Sequence, residues 1–165
     1  MTSKLNDSER AEKAALKLLS ARPRSRRRLL DLLARKGFSA AGQKSAIARL
    51  EELGYLDDQR FAKARALALF REGKLGQRSV HIRLLAQGVT ESVARRAISD
   101  AMEELPFHAL DTARALLSRR RLVDLQQDDR LRAKAARMLL SRGFEQSVIE
   151  QLLGEAGLDS PQQGG

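Results

Sequence analysis

One sequence pattern occurs three times in this chain of 165 residues. In each copy a helical stretch ends at a glycine, an apolar residue follows, and a new helix begins. The glycines are Gly37, Gly88 and Gly143, so the copies are 51 and 55 residues apart. A period of this size is typical of a helical repeat array, whose surface is long and lacks a deep pocket. The pattern therefore favours binding of an extended partner over turnover of a small molecule.

Helical periodicity predicts an all-α fold of nine helices in three tandem three-helix repeats, forming an elongated, curved array. Apolar residues recur at helical spacing, and no segment alternates in the manner of a strand. The predicted units are a flexible N-terminus at 1–10, repeats at 11–56, 57–105 and 106–157, and a disordered tail at 158–165. Each repeat of about 50 residues buries little surface alone, so we expect neighbouring repeats to contribute to its stability. Helix N-caps are expected at Ser25, Ser39 and Thr90, and at Asp57-Asp58 and Asp128-Asp129.

Composition restricts the chemistry that is open to the chain. Cysteine is absent, which excludes disulfides, thiolate metal sites and a cysteine nucleophile and fits a reducing compartment. The N-terminus lacks the apolar stretch of a secretion signal, and no apolar run approaches the roughly 20 residues of a membrane span. We therefore expect a cytoplasmic protein without membrane contact. The phosphate-binding, nucleophile-elbow and zinc-protease motifs are missing, so neither an enzyme activity nor a cofactor is expected.

The net charge of +10 predicts a polyanionic partner, and it is unevenly distributed. Residues 1–56 hold 13 Lys/Arg against 6 Asp/Glu, whereas residues 57–105 hold 9 against 7 and residues 106–165 hold 9 against 8. The first repeat therefore carries most of the excess. A basic surface that only confers solubility is the alternative.

The sharpest local signal is the run of arginines at the start of the second helix. Arg26, Arg27 and Arg28 oppose the helix dipole there, at a cost of about 0.3–1 kcal/mol each near an exposed terminus. A bound phosphate, or a carboxylate of a protein partner, would reverse that cost, since free N–H groups point outward at this end. Arg24 extends the same site. The alternative is a solvated turn in which Arg27 pairs with Asp31.

Weaker candidates for DNA or filament binding lie farther along the chain. Arg35 and Lys36 end the second helix, where cations are favourable without any partner. Gly76, at the start of the fifth helix, permits close approach of a backbone. The remaining candidate residues are Lys74, Arg78, Arg83, Arg119, Arg120, Arg121 and Arg142.

Aromatic, histidine and acidic residues are assigned structural roles. Tyr55 and Phe61 flank a helix junction, and we expect them to pack between two repeats rather than to stack on bases. His81 and His108 have no second ligand at metal spacing, so no metal site is expected. The paired aspartates resemble a metal-cleavage pair only superficially, because each pair begins a helix after a break.

The stretch from Leu50 to Ala62 closely resembles the signature of the bacterial RecX family. The residues that form this structural signature are Gly54, Tyr55, Leu56, Asp57, Asp58, Arg60 and Phe61. The segments 24–38, 74–89 and 142–144 are also similar to that family. The chain departs from the family pattern at Arg26 to Arg28, where relatives commonly carry a Glu that completes a capping box, and at Gln77, Ser79 and His81.

The resemblance implies a fold and a function. RecX-family proteins are tandem three-helix repeats that bind the RecA recombinase, act on its filament on single-stranded DNA and damp its activities, including ATP hydrolysis and strand exchange. They are regulators of DNA recombination and repair rather than enzymes. The expected partners are thus the RecA filament and single-stranded DNA, with duplex DNA bound weakly at most, and we expect a monomer.

Two other functions remain open from the residues alone. Three-helix units resemble helix-turn-helix domains, which read duplex DNA with an outward-facing helix. The third helices offer Gln43 and Lys44, or Glu91 and Ser92, which are poor base readers. A protein-binding helical scaffold with incidental charge is the second alternative.

Overall fold

The computed structural model describes residues 6–105, 108–122, 125 and 128–154, and these contain nine helices and no strand. The all-α prediction is therefore confirmed. Pro106, Phe107 and the predicted tail lie outside the described residues. None of the described helices has the length and apolar character needed to cross a membrane. The helices are α1 (Asp7–Ala21), α2 (Arg26–Arg35), α3 (Ala40–Glu52), α4 (Asp58–Arg71), α5 (Gln77–Ala86), α6 (Glu91–Glu104), α7 (Ala109–Arg119), α8 (Asp129–Ser141) and α9 (Gln146–Leu153).

Each set of three helices packs around its own apolar core. Helices α1–α3 bury Leu29, Leu33 and Ile47, and α4–α6 bury Leu69 and Leu84 with their neighbours. A third core, which includes Leu139 and Ile149, lies among α7–α9. No apolar layer is common to two repeats among the described residues, so the repeats are joined by other contacts.

The helix caps expected from the sequence are present. The side chains of Ser25, Ser39, Asp57, Thr90 and Asp128 each accept a hydrogen bond from a backbone N–H in the first turn of the following helix. A cap satisfies one of the N–H groups that have no partner inside the helix. Asp57 and Asp128 thus serve as caps, as predicted.

The first helix begins earlier than predicted. Residues 7–10, placed in a flexible N-terminus from the sequence, belong to α1 and follow a capping box between Asn6 and Glu9. Asp7 also accepts hydrogen bonds from the backbone and hydroxyl of Ser39, which lower the pKa of its carboxyl. The prediction missed this start because Asn6 and Glu9 stand before the first run of apolar residues.

The second helices of the three repeats lie end to end. At the junction of repeats 1 and 2, the Ser25 hydroxyl at the start of α2 donates to the Gln87 carbonyl at the end of α5. At the junction of repeats 2 and 3, Gly76 N–H donates to the Arg142 carbonyl at 2.8 Å, where α5 begins and α8 ends. The positive end of one helix dipole therefore meets the negative end of the next. We call α8, α5 and α2 together the column.

Glycine at the helix ends permits these junctions. Gly143 has φ +76°, and a Cβ there would lie 2.3 Å from the backbone nitrogen of Ser79. Gly88 has φ +86°, and its Cβ would lie 3.1 Å from Ser25 Oγ. Gly37 has the same left-handed conformation, but nothing lies within 4 Å of its Cβ position. The α2 end of the column is therefore open, whereas its internal ends are closed by the next repeat.

Candidate functional site

The signature segment 54–61 is the connection between repeats 1 and 2. Gly54 adopts φ +72°, which favours glycine, and Leu56 is buried in the core of repeat 1. Asp57 caps α4 by accepting from Arg60 N–H, and Arg60 Nη2 donates to the Gly54 carbonyl at 2.7 Å. These contacts fix the direction in which α4 leaves repeat 1, so the signature residues shape the junction.

The two aromatic residues of this segment have different environments. Tyr55 is 60% exposed, so the prediction that it packs between two repeats is wrong. Its place in the chain, between the left-handed Gly54 and the buried Leu56, turns its side chain towards solvent. Phe61 packs partly against the core of repeat 2 and also lines a surface groove.

The anion site predicted at the start of α2 is occupied by a carboxylate of the chain itself. Arg26 N–H donates to Asp58 Oδ1 at 2.7 Å, and Arg26 Nε lies 3.0 Å from Glu51 Oε1. Partial burial raises the pKa of the Asp58 carboxyl, an effect that the hydrogen bond from Arg26 opposes. Arg26 is thus engaged at the repeat junction and is not a free cation.

The neighbouring arginines surround a groove between repeats 1 and 2. Three adjoining hollows, of about 270, 260 and 240 Å³, follow the side of this junction. Their lining includes Phe61, Gln87 and a group of arginines, namely Arg22, Arg24, Arg27, Arg28 and Arg65. Arg24 Nε donates to the Leu18 carbonyl, and the Nε atom of Arg65 is buried without a hydrogen-bond partner among the described residues. Asp31 lies beside the groove but forms no ion pair with Arg27, contrary to the alternative interpretation from sequence.

Cations continue along the outer face of the column. These cations are exposed and form no ion pair with any described residue, and all of them except Arg83 stand on the side of their helix that faces away from its buried residues. They are Arg27, Arg28 and Arg35 on α2, Arg78 and Arg83 on α5, and Arg130, Lys134 and Arg137 on α8. We call this set the basic ridge. Unpaired arginines on one face raise the local positive potential, which attracts a polyanion.

Some cations on other helices pair with a neighbouring carboxylate. Examples are the ion pairs Arg49–Glu52, Lys63–Glu104, Arg95–Glu91 and Arg114–Asp111, with N–O distances of 2.6, 2.9, 2.7 and 3.0 Å. The hydrogen bond from Arg95 lowers the pKa of Glu91, which keeps that carboxylate charged. The groove and the basic ridge thus hold many of the unpaired cations of the described residues, and others, such as Lys44 and Arg96, lie on other helices.

The other predicted site residues do not join one cluster. Lys36 is exposed at the open end of α2, and Lys74 is exposed in the turn before α5. Arg119, Arg120 and Arg121 are exposed at the end of α7. Arg142 caps α8 and is half-buried, with its carbonyl in the junction to Gly76.

Sequence reasoning missed several cations of the groove and the basic ridge. Arg130, Lys134 and Arg137 are spaced by four and three residues, a helical spacing that was available as a signal. Arg65 stands four residues after Phe61 on α4. The sequence gave no sign that Arg65 lies near Arg22, because the two residues come from different repeats.

The fold and its charged face define a class of protein: a tandem three-helix-repeat protein with a long cationic surface. The model of the first three-helix domain of RecX matches residues 11–50, and the model of the third matches residues 109–153. These ranges fall in repeats 1 and 3.

Relatives and solved structures agree with those matches. A regulatory protein RecX of Syntrophotalea carbinolica is 35% identical over 144 residues, which are 86% of this chain and 93% of the relative. One from Thermus thermophilus is 38% identical over 134 residues, or 81% of this chain and 83% of the relative. The crystal structure of RecX from Lactobacillus salivarius has the same fold, with a TM-score of 0.74, 20% identity and coverage of 91% and 96% of the two chains. This chain belongs to the RecX family.

Proposed function

We propose that this chain regulates the RecA recombinase by binding along the groove of its filament on single-stranded DNA and damping ATP hydrolysis and strand exchange. The relatives are named regulatory proteins, which supports a regulatory role. The basic ridge is the observation that carries the proposal. It offers unpaired cations on the three helices of the column, in the form that an extended, periodic polyanion requires.

Binding through the basic ridge adds many weak contacts. Each arginine can donate two hydrogen bonds to a phosphate of the DNA or to a carboxylate of RecA, and the end-to-end arrangement of α2, α5 and α8 brings the cations onto one column. Once one repeat is bound, the next repeat meets its own contacts at a high effective concentration. Binding should weaken as salt rises, because counterions released from the DNA drive this kind of association.

The groove between repeats 1 and 2 favours a single strand over a duplex. Its arginines lie beside the partly exposed ring of Phe61, and both guanidinium planes and aromatic rings stack on unpaired bases. Base reading by the third helix of repeat 1 is not supported, because Gln43 Nε2 donates to the Phe38 carbonyl at 2.7 Å. Arg22, Arg24, Arg28 and Arg65 are therefore proposed to contact the DNA strand.

Two matched triple variants test the proposal. In the first, Arg27→Gln, Arg28→Gln and Arg78→Gln remove three charges from the basic ridge. In the control, Arg49→Gln, Lys63→Gln and Arg114→Gln remove three charges that are paired elsewhere. We expect the ridge variant to inhibit single-stranded-DNA-dependent ATP hydrolysis by RecA at roughly tenfold higher concentration. Its binding should also depend less on salt concentration than binding of the wild type does.

The control variant has the same net charge as the ridge variant but keeps the basic ridge intact. It should therefore behave as the wild-type protein does in both measurements. Equal losses in the two variants would show that only net charge matters. Unchanged ATP hydrolysis by RecA at saturating wild-type protein would refute the proposed function. Preferential binding to one duplex sequence would favour the helix-turn-helix alternative.

A further inference from the structure

Helix α5 has large apolar side chains on two opposite faces. Val80 and Leu84 are buried in the core of repeat 2. On the outer face Ile82 is 55% exposed and Leu85 is 37% exposed. These two residues are three apart, so they adjoin on the helix surface. Two adjoining large aliphatic side chains on the outer face of one helix form a small exposed apolar patch, the kind of feature that a protein partner can cover.

The surroundings of the two apolar residues define the chemistry of that partner. Arg78 stands one turn before Ile82 and shares its face, and α5 contains no acidic residue. Leu85 lines a hollow together with Arg27, Arg28 and Asp31 of repeat 1. The surface is thus an apolar centre within a charged rim in which cations outnumber the carboxylate, and a polar rim of this kind is common at protein interfaces. Its complement is a protein surface with an apolar centre and carboxylates around it.

Other occupants fit this surface less well. Aliphatic side chains offer neither hydrogen bonds nor a flat ring to a nucleic acid, so a DNA strand would leave Ile82 and Leu85 unused. A second copy of the chain would bring the same arginines of two basic ridges together, and such like-charge contacts are costly. Repeat 3 has a similar element, because Leu140 is 46% exposed and stands three residues before Gly143, as Leu85 does before Gly88.

We propose that the outer face of α5, centred on Ile82 and Leu85, docks onto an acidic surface of the RecA subunit, while the two hollows of the groove that Arg22 and Phe61 line take the DNA strand. This inference rests on the proposed function and assigns its two partners to different surfaces. Leu140 extends the protein-docking face onto α8. The apolar centre supplies protein affinity, and the cations Arg78 and Arg27 select the acidic surface.

The test compares two double variants that each remove exposed apolar side chains. Ile82→Ala with Leu85→Ala alters the proposed docking face, and alanine preserves the helix. Leu53→Ala with Tyr55→Ala is the control, since these residues are exposed elsewhere, Leu53 by 44% and Tyr55 by 60%. Each full-length protein is titrated against RecA filaments on oligo-dT with a non-hydrolysable ATP analogue, and separately against oligo-dT alone. Thermal unfolding checks that both variants are folded.

We expect the Ile82/Leu85 variant to bind filaments at least tenfold more weakly while its affinity for oligo-dT is unchanged. The control should match the wild type on both targets. If the wild-type protein inhibits RecA and the Ile82/Leu85 variant still binds filaments with full affinity, the docking assignment is overturned and the proposed function stands. An equal loss on oligo-dT would place Ile82 and Leu85 in the DNA site instead. A concentration-dependent wild-type dimer that the substitutions abolish would assign this face to a second copy.

Discussion

Asp58 occupies the position that the sequence suggested for a phosphate. Three arginines in the first turn of α2 predict an anion near their N–H groups, and Asp58 Oδ1 lies 2.7 Å from the nitrogen of Arg26. The acceptor that meets the Arg26 N–H thus comes from the next repeat, and phosphate binding by Arg27 and Arg28 stays a prediction. The same contact ties α4 to α2, so Asp58 helps to position repeat 2.

Replacing Asp58 by Asn should not destabilise the protein at neutral pH. Burial raises the folded pKa of Asp58 above its unfolded value, so folding takes up a proton between the two pKa values. The contribution of Asp58 to stability therefore falls as pH rises through that window and stays low at neutral pH. Asn has no charge to desolvate and keeps an oxygen for Arg26 N–H. Urea unfolding at pH 4 and pH 7 should show that the free energy of unfolding of Asp58→Asn increases relative to that of the wild type as pH rises.

A second substitution separates charge from hydrogen bonding. Asp58→Ala removes the acceptor and leaves the Arg26 N–H to solvent, at an expected cost of about 0.5–1.5 kcal/mol. If Asp58→Asn lost as much stability at pH 7 as Asp58→Ala does, the ionised carboxylate would be stabilising, and the pKa argument would be wrong.

At the scale of elements, the end-to-end column is the feature that organises the molecule. The N–H of Arg78 donates to the Gly143 carbonyl at 3.2 Å, as Gly76 does to Arg142, so the last turn of α8 caps the first turn of α5. These N–H and carbonyl groups have no partners inside their own helices. The junction therefore satisfies the ends of both helices and keeps their outer faces in a continuous basic ridge.

Two glycine substitutions measure what a junction contributes. Gly37→Ala and Gly143→Ala both force alanine into a left-handed conformation, at about 1–2 kcal/mol. Only at Gly143 does the new Cβ meet a neighbouring backbone, 2.3 Å from Ser79 N, whereas Gly37 has open space. We expect Gly143→Ala to cost clearly more in urea unfolding and to speed hydrogen exchange at the start of α5. Equal losses would mean that the junction of repeats 2 and 3 adds nothing to stability.

At the scale of the whole molecule, three separate cores replace one. Each repeat buries its own leucines, and the described contacts between repeats are hydrogen bonds and close approaches at helix ends. Stability in such an array is approximately a sum of repeat terms and junction terms. We therefore expect the repeats to open individually rather than all at once.

A core substitution should unfold one repeat before the others. Leu139 is fully buried in repeat 3, and Leu139→Ala is expected to cost about 2–5 kcal/mol. Hydrogen exchange should accelerate throughout α7–α9 while α1–α3 keep their protection. Leu50→Ala, in the core of repeat 1, is the mirror control and should reverse the pattern. Uniform acceleration along the chain in both variants would show that the molecule unfolds as one unit.

The local elements of this protein could be predicted from its sequence. Helical spacing of Leu and Ala defined nine helices, and short polar residues before them, such as Ser25 and Thr90, marked most of their starts. The glycine period gave the number of repeats. These features are local because a helix depends on hydrogen bonds four residues apart and on a cap within three. The excess of arginine before and in α2 likewise indicated the region of the groove.

Only the tertiary structure decided which of those residues act together. It engaged Arg26 with Asp58 and Glu51, turned Tyr55 to solvent, and brought Arg65 to the groove from another repeat. It also placed three helices end to end, which aligned the cations of α8 with those of α2. The physical reason is that these contacts join residues more than twenty positions apart, whose meeting depends on how one repeat is oriented on the next. The spacing of residues within one repeat carries no information about that orientation.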